Sequence, residues 1–355
     1  MAVAEFHRLR VAAVEPLCAD AVAVTFDVPP DLAARYAFRA GQSLTVRRPA
    51  DPDDERRTYS ICAAQGERPR IGVREVPGGL VSPWLVHDLR PGDEVEVAPP
   101  AGTFTPDLTA GGRHVLIAAG SGITPVLSIA ASLLGSSSGT TQISLLYGNR
   151  RADTVMFAEE LADLKDAHPS RLELVHLLSR EAREVDLLSG RLDAAKLRAL
   201  LPSLIDVSAV DHWWLCGPYP MVTDAMAVLA EAGVPAARIH RELFWVDEPP
   251  PEVVHDDGPR LTGATSEVTV TLDGRSTTAT VAEGDTVLEG AQRARPDLPF
   301  ACKGGVCGTC RARLVDGEVR MRRNFALEPA EIAAGYVLTC QSVPTTGKVV
   351  VDYDA

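Results

Sequence analysis

Three folding units of different texture are predicted on this chain of 355 residues: an antiparallel β-barrel or sandwich, an α/β unit built on a parallel sheet, and a smaller β-rich unit carrying a cysteine loop. Three observations predict them. Residues 1 to about 108 alternate apolar and polar side chains in short runs. From about 112, compact apolar runs alternate with helical patterns. A proline- and acid-rich stretch then sets off residues 266–355, which hold four of the seven cysteines.

In the first unit, 1–108, the runs are AVAVTFDVP, QSLTVRRP, RIGVREVP and DEVEVAPP, separated by clusters of Pro, Gly and Asp. Such alternation, broken by turn formers, is that of short antiparallel strands. Only SPWLVHDL reads as helix. In the second unit, 109–246, RHVLIAAG, TQISLLYGN, LELVHLLS and HWWLCGP read as buried strands, and TVMFAEELADLKDAHP and YPMVTDAMAVLAEAG as helices. Strands alternating with helices imply a parallel sheet. No charged residue occurs from Val115 to Asn149, which raises a membrane span; GSGITP and LGSSSGTT interrupt it, so strand, loop, helix, loop and strand are expected instead. Residues 247–265 read as a linker, and a flexible coil of roughly twenty residues spans about 25 Å. The third unit, 266–355, opens on the strands SEVTVTLDG and TTATVAEG.

A net charge of −13 argues against nucleic-acid binding, which needs basic surface to displace counterions. The N-terminus lacks the apolar core of a signal peptide, so a cytoplasmic protein with reduced thiols is expected. There, clustered cysteines point to metal binding or catalysis before disulfides.

Cys302, Cys307 and Cys310 have C-x4-C-x2-C spacing, with Cys340 downstream. That is the plant-type [2Fe–2S] pattern, in which four thiolates hold two irons. Gly304, Gly305 and Gly308 let the backbone wrap closely and aim amides at the sulfurs. A four-cysteine zinc site would use two separated C-x2-C-like pairs, and only one such pair is present. With GYVLTCQSVP around the fourth cysteine, residues 266–355 resemble a plant-type ferredoxin domain, and the resemblance implies a β-grasp fold.

In the first unit, ERRTYSIC holds Arg57, Tyr59 and Ser60. Alone, a strand with Arg and Tyr on one face is commonplace; in this β-rich setting R-x-Y-S resembles the flavin site of the ferredoxin–NADP reductase superfamily. The resemblance implies that Arg57 pairs bidentately with a pyrophosphate, that Tyr59, two residues on and on the same strand face, packs on the flavin ring, and that Ser60, turned to the other side, lies near the flavin N5. PGGLVSPWL places Gly79, Leu80, Val81 and Ser82 at a helix start, where backbone amides favour an anion and complete an FAD site; Ser82–Pro83 is equally an ordinary helix start.

In the second unit, Gly120, Ser121 and Gly122 form a tight turn into a helix whose first turn holds Thr124 and Pro125. The superfamily resemblance implies that this loop binds the NAD(P) pyrophosphate. Asn149 and Arg150, and Ser179 and Arg180, close two strands, where ligands of such sheets bind. The Ser–Arg pair resembles a 2′-phosphate site and favours NADPH over NADH, although arginines at loop ends are also commonly just solvated. Cys216, Gly217 and Pro218 match the motif that lies beside the nicotinamide in the superfamily, so Ser60 and Cys216 are the candidate catalytic residues; without the family, Cys216 reads as a small buried hydrophobe. Phe244 is expected to cover one flavin face, as an aromatic does in relatives.

NADPH gives two electrons together and a [2Fe–2S] cluster takes one, so a flavin must stand between them. The order of units resembles the reductases of multicomponent oxygenases, and within these the reductase components of phenylacetyl-CoA epoxidases, from FHRLRVAAVE through LADLKDAHPSRL to ALEPAEIAAGYVL and YVLTCQSVPTTGKVVVDYDA. The resemblance implies a partner made of separate di-iron oxygenase subunits, with no nucleic-acid or membrane partner. An NADH-dependent reductase of a ketosteroid or aromatic-ring hydroxylating system is the alternative, and a redox sensor a further one. Arg311, Arg313, Arg320, Arg322 and Arg323 flank the cysteine loop and either steer an acidic partner or are simply solvated.

Overall fold

Strand alternation builds the first sheet of the computed structural model, which describes residues 6–49, 55–136, 139–244, 265–300, 302–327 and 329–355. Its strands are β1 (His7–Cys18), β2 (Ala21–Asp27), β3 (Ser43–Arg47), β4 (Arg56–Ser60), β5 (Arg70–Arg74) and β6 (Glu94–Val97). They pair antiparallel in the order β4-β3-β6-β1-β2-β5. The two edges meet where Ile61 bridges Ile71 and Cys62 N–H donates to the Arg70 carbonyl at 2.8 Å, so the sheet closes on itself as a barrel. Inward residues such as Leu9, Val24, Phe26, Leu44, Ile71 and Val95 fill it. The expected helix is a short α1 (Val81–Pro83) continued by a widened turn at Trp84–Asp88 that buries Leu85.

The second sheet is parallel throughout: β7 (Arg113–Ala119), β8 (Gln142–Asn149), β9 (Leu172–Leu178), β10 (His212–Gly217) and β11 (Ile239–Leu243), in the order β11-β10-β7-β8-β9. Helices α2 (Ile123–Gly135), α3 (Ala158–Ala167), α4 (Ala194–Leu204) and α5 (Tyr219–Glu231) connect or flank these strands. Strand order reverses between β7 and β10, which makes their carboxyl ends the switch point where such sheets take ligands. The uncharged stretch from Val115 to Asn149 is accounted for by α2, which is buried almost all round. One core joins α2 and the parallel sheet to the barrel's Ala21, Ala23, Cys62 and Phe104. At the same seam Ser128 donates to the Ala63 carbonyl at 2.6 Å, and Arg70 meets both oxygens of Glu160 at 2.8 and 2.9 Å. His7–Phe244 therefore form one unit.

The described part of Trp245–Ala355 forms a second unit. Its sheet holds β12 (Ser266–Leu272), β13 (Arg275–Val281), β14 (Arg311–Asp316), β16 (Tyr336–Leu338) and β18 (Lys348–Asp352), in the order β13-β12-β18-β14-β16, with β15 (Val319–Met321) and β17 (Ser342–Pro344) as a separate pair. Only β12 and β18 run parallel. Across the sheet lies α6 (Val287–Gln292), begun by a reciprocal cap in which Glu289 N–H donates to Thr286 Oγ1 at 3.2 Å and Thr286 N–H to Glu289 Oε2 at 2.9 Å. A helix held by a mixed sheet is the expected β-grasp; α7 (Pro329–Ala333) precedes β16. Except for Thr265, the expected linker 247–265 lies outside the described residues. Among the described residues no helix is long and apolar enough to cross a membrane.

Candidate functional site

Position in β4 sets the first group of candidate residues. Arg57 and Tyr59 sit two residues apart, opposite Val46 and Leu44 of β3. Arg57 Nη1 is held by Glu55 at 2.6 Å and by the Arg56 carbonyl at 2.7 Å. The Tyr59 hydroxyl is hydrogen-bonded to Ser82; burial raises its pKa against the opposing pull of Arg57 and Ser82. Ser82 is itself buried and accepts from Val76 N–H at 3.0 Å. The R-x-Y-S strand and the start of α1, distant in sequence, are thus brought together. Gly79, Leu80 and Val81 complete that turn, and Leu80 is left 65% exposed. An arginine, an aromatic ring, hydroxyls and an open apolar side chain make a donor set that fits a flavin dinucleotide.

Ser60 faces the other way and meets a residue not anticipated from sequence. Its Oγ donates to Glu242 Oε2 at 2.9 Å, across 182 residues. Glu242 stands in β11 beside Cys216 of β10. Burial raises its carboxyl to about 7, with the Ser60 hydrogen bond opposing. Cys216 is fully buried, and burial, then the neighbouring Glu242, push its thiol well up, so it stays protonated. Phe244, two residues past Glu242, packs against the core that contains Cys216. The acid in RELF, two places before an aromatic at a strand end, was the available signal.

Gly120–Gly122 form a single turn between β7 and α2. Gly120 takes φ +56, and its carbonyl accepts from the Tyr147 hydroxyl at 3.1 Å. Gly122 is helical in φ, but a Cβ there would overlap the Cys216 carbonyl oxygen and stand 2.5 Å from its carbon. The two expected nucleotide motifs, at the ends of β7 and β10, are therefore in backbone contact. Gly217 is buried and Pro218, the residue before α5, exposed. Thr124 and Pro125 are buried: Thr124 donates to the Ser121 carbonyl at 2.8 Å and packs against Gly72 of the barrel, so Thr124 fixes the turn to the barrel.

Arg150 and Arg180 are exposed at the ends of β8 and β9, and Arg180 N–H donates to the Arg150 carbonyl at 2.8 Å, with Ser179 N–H donating to the Asn149 carbonyl at 2.9 Å. Asn149 is only 7% exposed; it interacts with the Tyr147 hydroxyl, but among the described residues neither its Oδ1 nor its Nδ2 makes a hydrogen bond of regular geometry. A buried amide without such bonds costs about 1–3 kcal/mol. Its place at a ligand-taking strand end fits a nucleotide that would satisfy it.

The four loop cysteines fall into two pairs. Cys302 and Cys307 are in thiol–thiol contact, as are Cys310 and Cys340. Gly304 and Cys307 N–H groups donate to Cys302 Sγ at 3.3 and 3.4 Å, and Gln341 Nε2 to Cys340 Sγ at 3.5 Å. The hydrogen bond from the Cys307 thiol, with those of the loop amides, lowers the Cys302 pKa against burial. Positive φ at Lys303, Gly305 and Gly308 turns the loop. Among the described residues no three side chains converge as one metal ion requires. Two pairs of thiols match two irons, each with two protein ligands, and not a single zinc. Behind them Tyr353 and Thr339 hydroxyls meet at 2.7 Å, and Thr339 donates to the Cys310 carbonyl at 3.0 Å, a second contact not anticipated from sequence.

Three family profiles match this chain: an oxidoreductase FAD-binding domain at residues 8–105, an oxidoreductase NAD-binding domain at 116–227 and a 2Fe-2S iron-sulfur cluster binding domain at 270–345. A component of the 1,2-phenylacetyl-CoA epoxidase of Escherichia coli K12 is 43% identical, over 99% of this chain and 98% of that protein. The ferredoxin reductase component of a Rhodococcus rhodochrous 3-ketosteroid-9-alpha-monooxygenase is 33% identical, over 97% and 96%. Among solved structures, phthalate dioxygenase reductase, described as modular for electron transfer from pyridine nucleotides to [2Fe-2S], superposes with a TM-score of 0.60 at 25% identity, covering 98% of each chain. With the same three modules in the same order from end to end, this chain belongs to the family of pyridine-nucleotide-dependent flavin and [2Fe–2S] reductase components of oxygenases.

Proposed function

We propose that this reductase draws electrons from NADPH and delivers them singly to separate di-iron oxygenase subunits that epoxidise phenylacetyl-CoA. The observation that carries this reading is the end-to-end 43% identity to a component of such an epoxidase; relatives named for 3-ketosteroid monooxygenase match a similar span at 33% and supply the second reading, a reductase for another oxygenase. Residues 1–108 are assigned to FAD, 109–246 to the nucleotide, 247–265 to a linker and 266–355 to the cluster.

A flavin bound here would supply the conversion of a two-electron hydride donor into single-electron deliveries. Arg57 and the turn Gly79–Ser82 would hold its pyrophosphate, and Tyr59 and Phe244 would pack against its ring. The amides of Gly120–Gly122 hold the nucleotide pyrophosphate, with Gly217 and Pro218 beside the nicotinamide. Arg150, Ser179 and Arg180 receive the 2′-phosphate. Among the described residues neither Arg150 nor Arg180 pairs with a carboxylate, whereas Arg151 is held by Asp153 at 3.1 Å. Once both electrons of a hydride have left, one proton must leave too. Ser60 Oγ bonds Glu242 Oε2, and a carboxyl raised to about 7 can accept that proton near neutral pH and hold it there. Cys216 remains a neutral wall that packs the nucleotide turn. Cys302, Cys307, Cys310 and Cys340 hold the cluster.

An anaerobic NADPH titration followed by visible and EPR spectra tests the electron path, and reconstitution with the oxygenase subunits of an epoxidase and phenylacetyl-CoA tests the acceptor. A cluster that stays oxidised in the flavin-loaded chain would refute the path. Turnover with a ketosteroid system alone would establish the second reading.

A further inference from the structure

Residues 303–323 carry six basic side chains and two acids, in a chain whose net charge is −13. Their positions divide the basic residues. Arg311 is neutralised by Glu331 at 2.6 Å and lies over the Tyr336 ring. Arg313 lies on β14 opposite Tyr336 and Asp352, and Arg320 lies on β15 opposite Val343. Lys303, Arg322 and Arg323 are different, because the backbone ties all three to the thiol loop. Gln341 Nε2 donates to the Lys303 carbonyl at 2.7 Å, and Arg322 N–H donates to the Gln341 carbonyl at 2.8 Å. Gly305 packs under the Arg323 carbonyl, and Phe325 N–H donates to the Gly305 carbonyl at 3.0 Å.

All three side chains are exposed, and among the described residues none meets a carboxylate: Lys303 Nζ stands over the Phe300 ring, and Arg322 donates to the Gly284 carbonyl. The thiols differ in exposure in the same sense. Cys310 and Cys340 are buried, at 2% and 6%, whereas Cys302 and Cys307 are partly exposed. Electron transfer weakens steeply with distance, so a partner gains most by approaching the Cys302–Cys307 side. Lys303, next to Cys302, and Arg323, whose carbonyl packs on Gly305 of the same loop, attach uncompensated positive charge to that side, and Arg322 adjoins Arg323.

We propose that Lys303, Arg322 and Arg323 form the docking rim for the electron acceptor, and that the acceptor meets it with an acidic surface. This rests on the acceptor being the oxygenase. Opposite charge across an interface chiefly raises the association rate and is screened by salt. The test uses the full-length, cofactor-loaded chain with Arg323→Glu, whose parent guanidinium bonds nothing among the described residues, and with Arg322→Glu/Arg323→Glu. Cluster spectra and the rate of cluster reduction by NADPH should be unchanged, which shows that the variants are folded and loaded. At low salt the double reversal should lower kcat/KM for oxygenase-coupled turnover at least tenfold, on the order of the steering effects known for charged interfaces. The loss should shrink as salt is added, Arg322→Lys/Arg323→Lys should restore the rate, and reduction of cytochrome c, a basic protein, should not slow. Oxygenase turnover unchanged by the reversal at low salt would overturn the proposal. If the parent chain reduces its cluster but never supports the oxygenase, the functional reading itself falls, and the docking assignment with it.

Discussion

Gly122 is the position where a single methyl group should do most damage at the nucleotide turn. Its φ of −61° suits any residue, so alanine carries no backbone cost. The obstacle is space: a Cβ would overlap the Cys216 carbonyl oxygen and lie 2.5 Å from its carbon and 2.8 Å from Gly217 N. Both neighbours are backbone, so no rotamer relieves the clash, and the β7–α2 turn must move away from the end of β10. Overpacking of this kind costs about 1–3 kcal/mol. A displacement of about 1 Å at a reacting geometry costs about 100-fold in rate, the equivalent of about 2.7 kcal/mol. Gly120 provides the contrast. It has φ +56°, but the nearest atom to a Cβ there is Arg74 Nη1 at 3.6 Å, so Gly120→Ala meets only the left-handed penalty of about 1–2 kcal/mol and keeps the turn in place. NADPH-dependent ferricyanide reduction measures the difference. Gly122→Ala should lower kcat/KM about 100-fold with flavin content and cluster spectrum intact, and Gly120→Ala by less than about tenfold. Equal losses, or a harmless Gly122→Ala, would refute the packing logic and the role of the β7–β10 contact.

Removing the exposed cations, Arg150→Ala/Arg180→Ala, should raise KM for NADPH at least tenfold, the cost of about 1.5–3 kcal/mol for a hydrogen bond to a charged group, and leave NADH kinetics nearly unchanged; parallel losses with both nucleotides would contradict a 2′-phosphate site. Glu242 has a folded pKa of about 7 against an ordinary 4.5, so its contribution to stability is fully present below 4.5 and lost as pH rises through 7. Relative to the parent, Glu242→Gln should therefore gain up to about 3 kcal/mol of stability between pH 4.5 and 8, read from urea unfolding followed by flavin release; a parent and variant with the same pH profile would show the carboxyl to be solvated. Tyr353→Phe removes the hydroxyl that supports Thr339 behind Cys310, and should lower the cluster potential by on the order of 20–60 mV, the equivalent of about 0.5–1.5 kcal/mol, in an EPR-monitored redox titration. An unmoved potential would make the contact purely structural.

Elements governed by local pattern were legible in the sequence, and those governed by pairing were not. The runs that form β3 and β6 alternate and their burial largely follows, whereas β2 is buried at every position but Asp27 and β5 at its three central ones, because neighbouring elements cover both faces there. The longest strand, β1, lacks so clean a pattern. HRLRVAAVEPLC contains a proline and several charges, and is extended because β2 and β6 pair with it on both sides. Barrel and sandwich could not be separated by periodicity, because the distinction lies in the contact of Ile61 with Ile71 across the sheet edges. Cysteine spacing named the cluster because four ligands to two irons constrain sequence distance directly. Thr124 is legible as a first-turn residue of the helix after the nucleotide loop because helix position is visible in sequence, while its burial against Gly72 of another sheet is not.

The pairs that give the first unit its chemistry are long-range: Ser60 with Glu242 across the seam, Tyr59 with Ser82 within the barrel, and Gly122 with Cys216 within the parallel-sheet part. None of these residues is unusual in its own segment, and Ser60 meets Glu242 only because the barrel and the parallel sheet share one core. That shared core has a physical consequence. The α2 serines and the Arg70–Glu160 pair hold barrel to sheet, so the distance from Ser60 to the β7–β10 switch point is set by packing, not by a loop. Hydride transfer needs reacting atoms about 3–3.5 Å apart, and rigid packing is what supplies such tolerance. Single-electron transfer tolerates longer and looser approach, so the thiol unit does not need the same core. It is accordingly built as a separate small fold, with its own capped helix and its own hydrophobic core. The different geometric demands of two-electron and one-electron chemistry thus account for one fused unit and one independent unit on the same chain.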